Sequence, residues 1–153
     1  MNDYIVIRNM KEDDLEQVCE IENHTFSAPW SFLSYHQAIS NRNNIFLVAE
    51  EKGKIVGYCG CLGVIGEGQI TNVAVKNEYR GKNIGFQLME RLLKDGEKKG
   101  IQAFTLEVRV SNYNALKLYD RLGFSREGIR KNYYTAPQED AVIMWKHLNK
   151  IPL

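Results

Sequence analysis

The sequence predicts a mixed α/β fold, a sheet of about seven strands flanked by about four helices. Three observations carry that reading. Apolar and polar residues alternate in short stretches, clearest where Phe104, Leu106, Val108 and Val110 are separated by Thr105, Glu107 and Arg109. In other stretches the apolar residues recur at helical spacing, as in Ala115, Leu118, Tyr119 and Leu122. No repeat, low-complexity tract or Pro/Gly/Ser linker interrupts the 153 residues, which read as one domain over 1–153.

In chain order, Tyr4 to Arg8 reads as a first strand around Ile5, Val6 and Ile7. Lys11 to His24 reads as a helix, with Leu15, Val18, Cys19 and Ile21–Glu22 at helical spacing. Its first turn holds Glu12, Asp13 and Asp14, the charge sign that a helix N-terminus favours. Pro29-Trp30 breaks the chain, and Ser31 can cap a second helix over Phe32 to Ser40. Ile45 to Glu50, a Lys52-Gly53-Lys54 turn and Ile55 to Val64 form a predicted hairpin, followed by a strand at Gln69 to Val75. Ile84 to Lys99 is helical, with Gly100 as its stop. A strand through Val110 and a helix ending at Gly123 follow. Strands near Phe124–Tyr134 and Ala141–His147 complete the order β-α-α-β-β-β-α-β-α-β-β.

Composition narrows the function. Area scaling for 17.6 kDa leaves about 69% of the unfolded surface buried, enough for a core without disulfides or a structural metal. Hydrophobic content of 44% and charged content of 25% disfavour wholesale disorder. No apolar run approaches the roughly 18 residues of a membrane span. Met1-Asn2-Asp3-Tyr4-Ile5 lacks the basic and apolar stretches of a signal peptide. Cys19, Cys59 and Cys61 show no metal-ligand spacing and read as reduced, buried thiols of a cytoplasmic protein. Net charge is −5 over residues 1–75 and +6 over 76–153, so a uniformly basic nucleic-acid footprint is absent. An acidic half facing a cationic substrate and a basic half facing a polyanionic cofactor would suit that asymmetry, and so would chance.

Three segments can carry chemistry. Val73-Ala74-Val75 leads through a short loop, Arg80-Gly81-Lys82-Asn83, into a helix beginning Ile84-Gly85-Phe86. Backbone N–H groups at such a helix start can bind a pyrophosphate; an ordinary glycine-softened helix start is the plain alternative. It is neither a Walker loop nor GxGxxG. Glu107 projects opposite Leu106 and Val108, as a catalytic or merely half-solvated carboxylate. Asn112 opens the following helix as a cap. Tyr119 lies on its inward stripe, either packed in the core or turned to a ligand.

Together these segments resemble the GNAT acetyltransferase superfamily, whose pyrophosphate loop reads Q/R-x-x-G-x-G/A. Over essentially the whole chain the sequence is similar to the RimI-type ribosomal-protein-alanine N-acetyltransferases. That similarity runs through Phe26–Ser31, Gly66-Glu67, Ile70–Val75, Leu106–Asn112, Leu118-Tyr119, Gly123-Phe124, Arg130–Tyr134, Glu139-Asp140-Ala141 and Met144. Where the loop has its first glycine this chain has Asn83, the non-glycine type that best tolerates left-handed backbone.

The resemblance implies the GNAT fold, with a mixed, mostly antiparallel sheet. It implies acetyl transfer from acetyl-CoA to a protein N-terminus, the alanine of small-subunit ribosomal protein eighteen, with no metal. It makes Glu107 the general base and Tyr119 the acid that protonates the coenzyme A sulfur, a phenol near 10 being close to a thiol near 8.5. Val73, Ala74 and Val75 would pair with the pantetheine arm, and a backbone N–H there would serve the oxyanion. Arg80, Gly81, Lys82, Asn83, Ile84, Gly85 and Phe86 would hold the pyrophosphate, and Asn112 would hydrogen-bond the cofactor. Glu67, the acidic first helix and the Tyr133-Tyr134 pair are candidates for a slot receiving the cationic peptide end. Trp30 and Trp145 read as packing residues. No direct nucleic-acid partner or membrane is expected, and the chain reads as a monomer or weak dimer. A lysine or small-molecule amine acetyltransferase, and an acyl-CoA-binding sensor, are the alternatives.

Overall fold

A computed structural model describes residues 4–148. The reading of Met1 to Asp3 therefore lies outside the described residues. The elements are β1 (Ile5–Asn9), α1 (Leu15–Thr25), α2 (Phe32–Ile39), β2 (Ile45–Glu51), β3 (Lys54–Val64), β4 (Glu67–Val75), α3 (Ile84–Lys98), β5 (Ala103–Arg109), α4 (Tyr113–Arg121), β6 (Ser125–Thr135) and β7 (Gln138–His147). Order and type agree with the sequence reading. Ser31 caps α2 by accepting the Ser34 N–H at 3.1 Å, and Gly100 and Gly123 follow α3 and α4 at φ of +91° and +92°.

Two boundaries differ by three residues or more. The expected helix from Lys11 opens as a single 3-10 turn, Glu12–Asp14. The Asp14 carboxylate turns back onto the Lys11 N–H at 2.7 Å and takes both arms of Arg8 at 2.8 and 2.9 Å, which tightens the turn. β7 starts earlier than expected, at Gln138, because its polar residues are used in the hairpin. Asp140 accepts the Asn132 N–H at 2.8 Å where the β6–β7 register shifts.

The strands form one sheet ordered β1-β2-β3-β4-β5-β7-β6. Every neighbouring pair is antiparallel except β4–β5. Both faces of the sheet are covered, so β2 reads as the uninterrupted run Ile45–Ala49. Ile45, Leu47 and Ala49 enter the core under α3 and α4, while Phe46 and Val48 enter a second core under α1 and α2.

The parallel pair positions the site. β4 and β5 pair only at Glu67–Gln69 against Ala103–Thr105. Beyond that point β4 carries a bulge: Cys61 of β3 faces Ile70 but Cys59 faces Val73, so Thr71 and Asn72 oppose Gly60 alone. A bulge bends its strand, and past this one β4 and β5 separate into a wedge. Gly60 is required there, since a Cβ would collide with the Phe46 ring.

Candidate active site

The wedge is a cavity of about 1080 Å³, walled by β4, β5, the loop into α3, α4 and the α1–α2 segment. On β4, Val73, Ala74 and Val75 line it. The loop contributes Arg80, Gly81 and Asn83, and α3 contributes Ile84, Gly85 and Phe86. Gly81 (φ +79°) and Asn83 (φ +67°) both adopt left-handed backbone, so Asn83 keeps the loop shape that a glycine would give. The first bond of α3 runs from the Gln87 N–H to the Asn83 carbonyl at 3.1 Å, so the amides of Ile84, Gly85 and Phe86 precede the helical ladder. Arg80 Nε donates to the Val75 carbonyl at 3.0 Å, fastening the loop to the end of β4.

Lys82 does not line the cavity; its ammonium lies 5.3 Å from the centre of the Tyr79 ring. Its place is taken by residues that the sequence reading missed. Asn114, Lys117 and Arg121 of α4 line the cavity, with the Arg121 guanidinium 4.5 Å over the Phe86 ring. Their i, i+3, i+7 spacing beside the buried stripe of α4 was the available signal.

Glu107 and Tyr119 line the same cavity. The Glu107 side chain is 16% exposed, and its Oε2 lies 3.1 Å from Arg130 Nε. Tyr119 is buried, edge-on to Phe124 at 5.8 Å. Burial pushes its phenol above the ordinary value, with Cys59 and Tyr134 adding to the rise. The match to a coenzyme A thiol is therefore less close than the ordinary value near 10 suggests, and Tyr119 keeps its proton at neutral pH. Tyr134 also lines the cavity. Burial, then Tyr133 and Glu107, push its phenol up to about 12.

Asn112 serves as cap and cavity residue together. Its Oδ1 accepts the Ala115 N–H at 3.2 Å, and the residue lines the wedge. Besides Lys82, two candidates are not brought to the cavity. Glu67 sits at the far end of β4, where β4 and β5 are still paired, so it lies outside the opening. Tyr133 is exposed, packed against Tyr134 at 5.0 Å and under Arg130 at 5.6 Å, outside the lining. Trp145 packs as expected, stacked on His147. Trp30 packs against Tyr35 at 5.1 Å but also lines the cavity.

The sequence reading gave no individual role to Glu22 or Asn72. Glu22, 0% exposed, accepts the hydroxyls of Tyr35 and Tyr58 on Oε1, each at 2.7 Å. Its Oε2 accepts the Trp30 N–H at 2.9 Å and Asn72 Nδ2 at 2.8 Å. Both residues line the cavity. Burial first, then the Glu22 carboxylate, holds the Tyr35 phenol above its ordinary value; burial and the bond to Glu22 do the same to Tyr58. Both phenols remain donors. The one sequence signal was a glutamate on an otherwise apolar helix stripe.

Residues 15–124 match the acetyltransferase (GNAT) family. The chain belongs to the GNAT acetyltransferases. A relative from Bacillus subtilis (strain 168) is 43% identical over 145 residues, covering 94% of this chain and 96% of that protein. The ribosomal protein bS18-alanine N-acetyltransferase of Haemophilus influenzae is 36% identical over 143 residues, 91% of this chain and 96% of that one. The crystal structure of the Escherichia coli ribosomal-protein-S18-alanine N-acetyltransferase superposes with a TM-score of 0.86 at 30% identity, covering 97% of this chain and 99% of that one. GNAT enzymes take acetyl-CoA as co-substrate. The α3 amides, Arg80, Lys117 and Arg121 around one end of the wedge fit its phosphates in charge and hydrogen-bonding capacity.

Proposed function

We propose that this GNAT acetyltransferase acetylates the N-terminal α-amine of a protein, the alanine of ribosomal protein bS18, in the cytoplasm. The observation that carries the reading is a single wedge bearing the carboxylate of Glu107 on one wall and the protonated phenol of Tyr119 on another, with a helix N-terminus at its mouth. The names of the relatives support the substrate. Among the described residues no helix is long and apolar enough to cross a membrane.

Bound acetyl-CoA supplies the acetyl group and leaves as a thiol. The amides of Ile84, Gly85 and Phe86, with Arg80, hold the pyrophosphate, and Asn112 donates through Nδ2 because its Oδ1 is spent on the helix cap. The backbone of Val73 to Val75 aligns the pantetheine arm and offers an N–H to the oxyanion. Glu107 receives the amine proton on the oxygen not facing Arg130, and Tyr119 donates its phenolic proton to the departing sulfur. An α-amine titrates near 7.7–8.0, so part of it is already neutral at cytoplasmic pH, whereas a lysine near 10.4 is almost wholly charged. One carboxylate base suits the former.

The test is thiol release from acetyl-CoA with a short peptide bearing a free N-terminal alanine. Turnover is expected. Turnover confined to an N-terminally blocked lysine peptide would move the substrate to lysine, and tight acetyl-CoA binding with no turnover on any amine would make the protein a sensor.

A further inference from the structure

Among the described residues, two side-chain oxygens are shielded from solvent yet have no hydrogen-bond partner: Thr71 Oγ1 and Asn72 Oδ1. They are adjacent in sequence, and in regular β-strand they would point to opposite faces. The bulge puts them on one face. A Cβ on Gly60 would lie beside both the Phe46 ring and Thr71 Oγ1, which sets Thr71 on the α1–α2 side, and Asn72 reaches Glu22 of α1 on that same side. Both residues line the wedge, one and two positions before Val73.

The amide of Asn72 cannot be turned over. Glu22 is itself held by Tyr35, Tyr58 and the Trp30 N–H, and the Oε2 that Asn72 reaches already acts as the acceptor for Trp30. Nδ2 must face it; the reverse would set oxygen against oxygen. Oδ1 is thereby left as a fixed acceptor, 94% of the residue's surface being buried, with a carboxylate behind it. Such an atom recognises an N–H donor, favours a cationic one and disfavours carbonyl or anionic oxygen.

Resting on the proposed transfer to an α-amine, we infer that Asn72 Oδ1 receives an N–H of the incoming amine and so aims its lone pair. Glu22, with Tyr35 and Tyr58, is the positioning group that keeps that oxygen forward. A primary amine carries two N–H bonds once its nitrogen has bonded to the acetyl carbon: one proton goes to Glu107, and the other remains for Asn72. An N-methyl amine has none left after the base is served.

The full chain and its Asn72→Leu variant, close in size, are compared on two peptides identical but for N-terminal alanine or N-methylalanine. The unaltered protein is expected to favour the alanine peptide by about tenfold or more in kcat/KM. Asn72→Leu should lower turnover of the alanine peptide by about tenfold or more and bring the two peptides within about twofold of each other. Calorimetry with coenzyme A present should show weaker binding of the alanine peptide and unchanged binding of acetyl-CoA. Asn72→Ser, whose oxygen falls short, should give the same ratio and serves if the leucine variant does not fold. A variant that keeps the original preference, whether its rate is unchanged or lowered equally on both peptides, overturns the assignment to Asn72 alone. Failure of the unaltered protein on every α-amine peptide overturns the proposed function, and this inference with it.

Discussion

Removing the Glu22 carboxylate should unsettle the α1–α2 face of the sheet, and its size can be worked from the bonds it accepts. In Glu22→Ala four donors lose their acceptor: the hydroxyls of Tyr35 and Tyr58, the Trp30 N–H and Asn72 Nδ2, at 2.7 to 2.9 Å. The two hydroxyls share one acceptor atom and can turn to each other, which recovers one bond. Three donors remain stranded, each costing about 1–3 kcal/mol, and a void is added. Against this, the charge no longer has to be desolvated, which returns several kcal/mol. The net expectation is a loss of about 3–5 kcal/mol. At about 2–4 °C per kcal/mol for a chain of this size, Tm falls by roughly 6–20 °C. Glu22→Gln keeps the shape. Its amide oxygen can retain Trp30 and Asn72 while the tyrosine hydroxyls reverse to accept from Nε2, so the loss should stay near 1 kcal/mol. Urea unfolding followed by circular dichroism, with a parallel thermal melt, measures both. An alanine variant within 1 kcal/mol of the unaltered protein, or a glutamine variant as damaged as the alanine one, would refute the network as described.

Glu107→Gln and Tyr119→Phe should each lower kcat by about 10²–10⁴ while acetyl-CoA affinity measured by calorimetry is unchanged. Because the Tyr119 phenol is held above its ordinary value, the rate should show no alkaline fall up to pH 10 that Tyr119→Phe abolishes. Asn83 sits at φ +67°, where alanine is strained by about 1–2 kcal/mol and glycine is not. Asn83→Ala should therefore weaken acetyl-CoA binding or lower Tm, and Asn83→Gly should do neither. Burial alone would raise the Asp14 carboxyl, but Arg8 and the Lys11 N–H bring it below its ordinary value. The stabilisation is thus complete above about pH 4 and lost as pH falls through the lower folded value. Urea midpoints between pH 2.5 and 6 should fall less steeply with acid in Asp14→Asn than in the unaltered chain.

The elements and their order could be read locally, because strand alternation and helical spacing are properties of a few successive side chains. Ser31 as a cap and the left-handed Asn83 were legible for the same reason: each depends on backbone geometry within three or four residues. The segments holding Val73 to Val75, Glu107 and Tyr119 were legible as well, but that they line one cavity was not. That follows from the β4–β5 pairing ending at Gln69 and Thr105, a contact between strands 36 positions apart. Glu67 shows the opposite error: three residues from Ile70 in sequence, it falls on the closed side of that divergence. Glu22 could be seen only as a charge on an apolar stripe, since its four donors come from Trp30, Tyr35, Tyr58 and Asn72 on α2, β3, β4 and the segment before α2. Periodicity records which face of an element is buried. Which polar atoms meet there, and which buried oxygen is left without a partner, is decided only when separate elements pack and each hydrogen bond must find its partner.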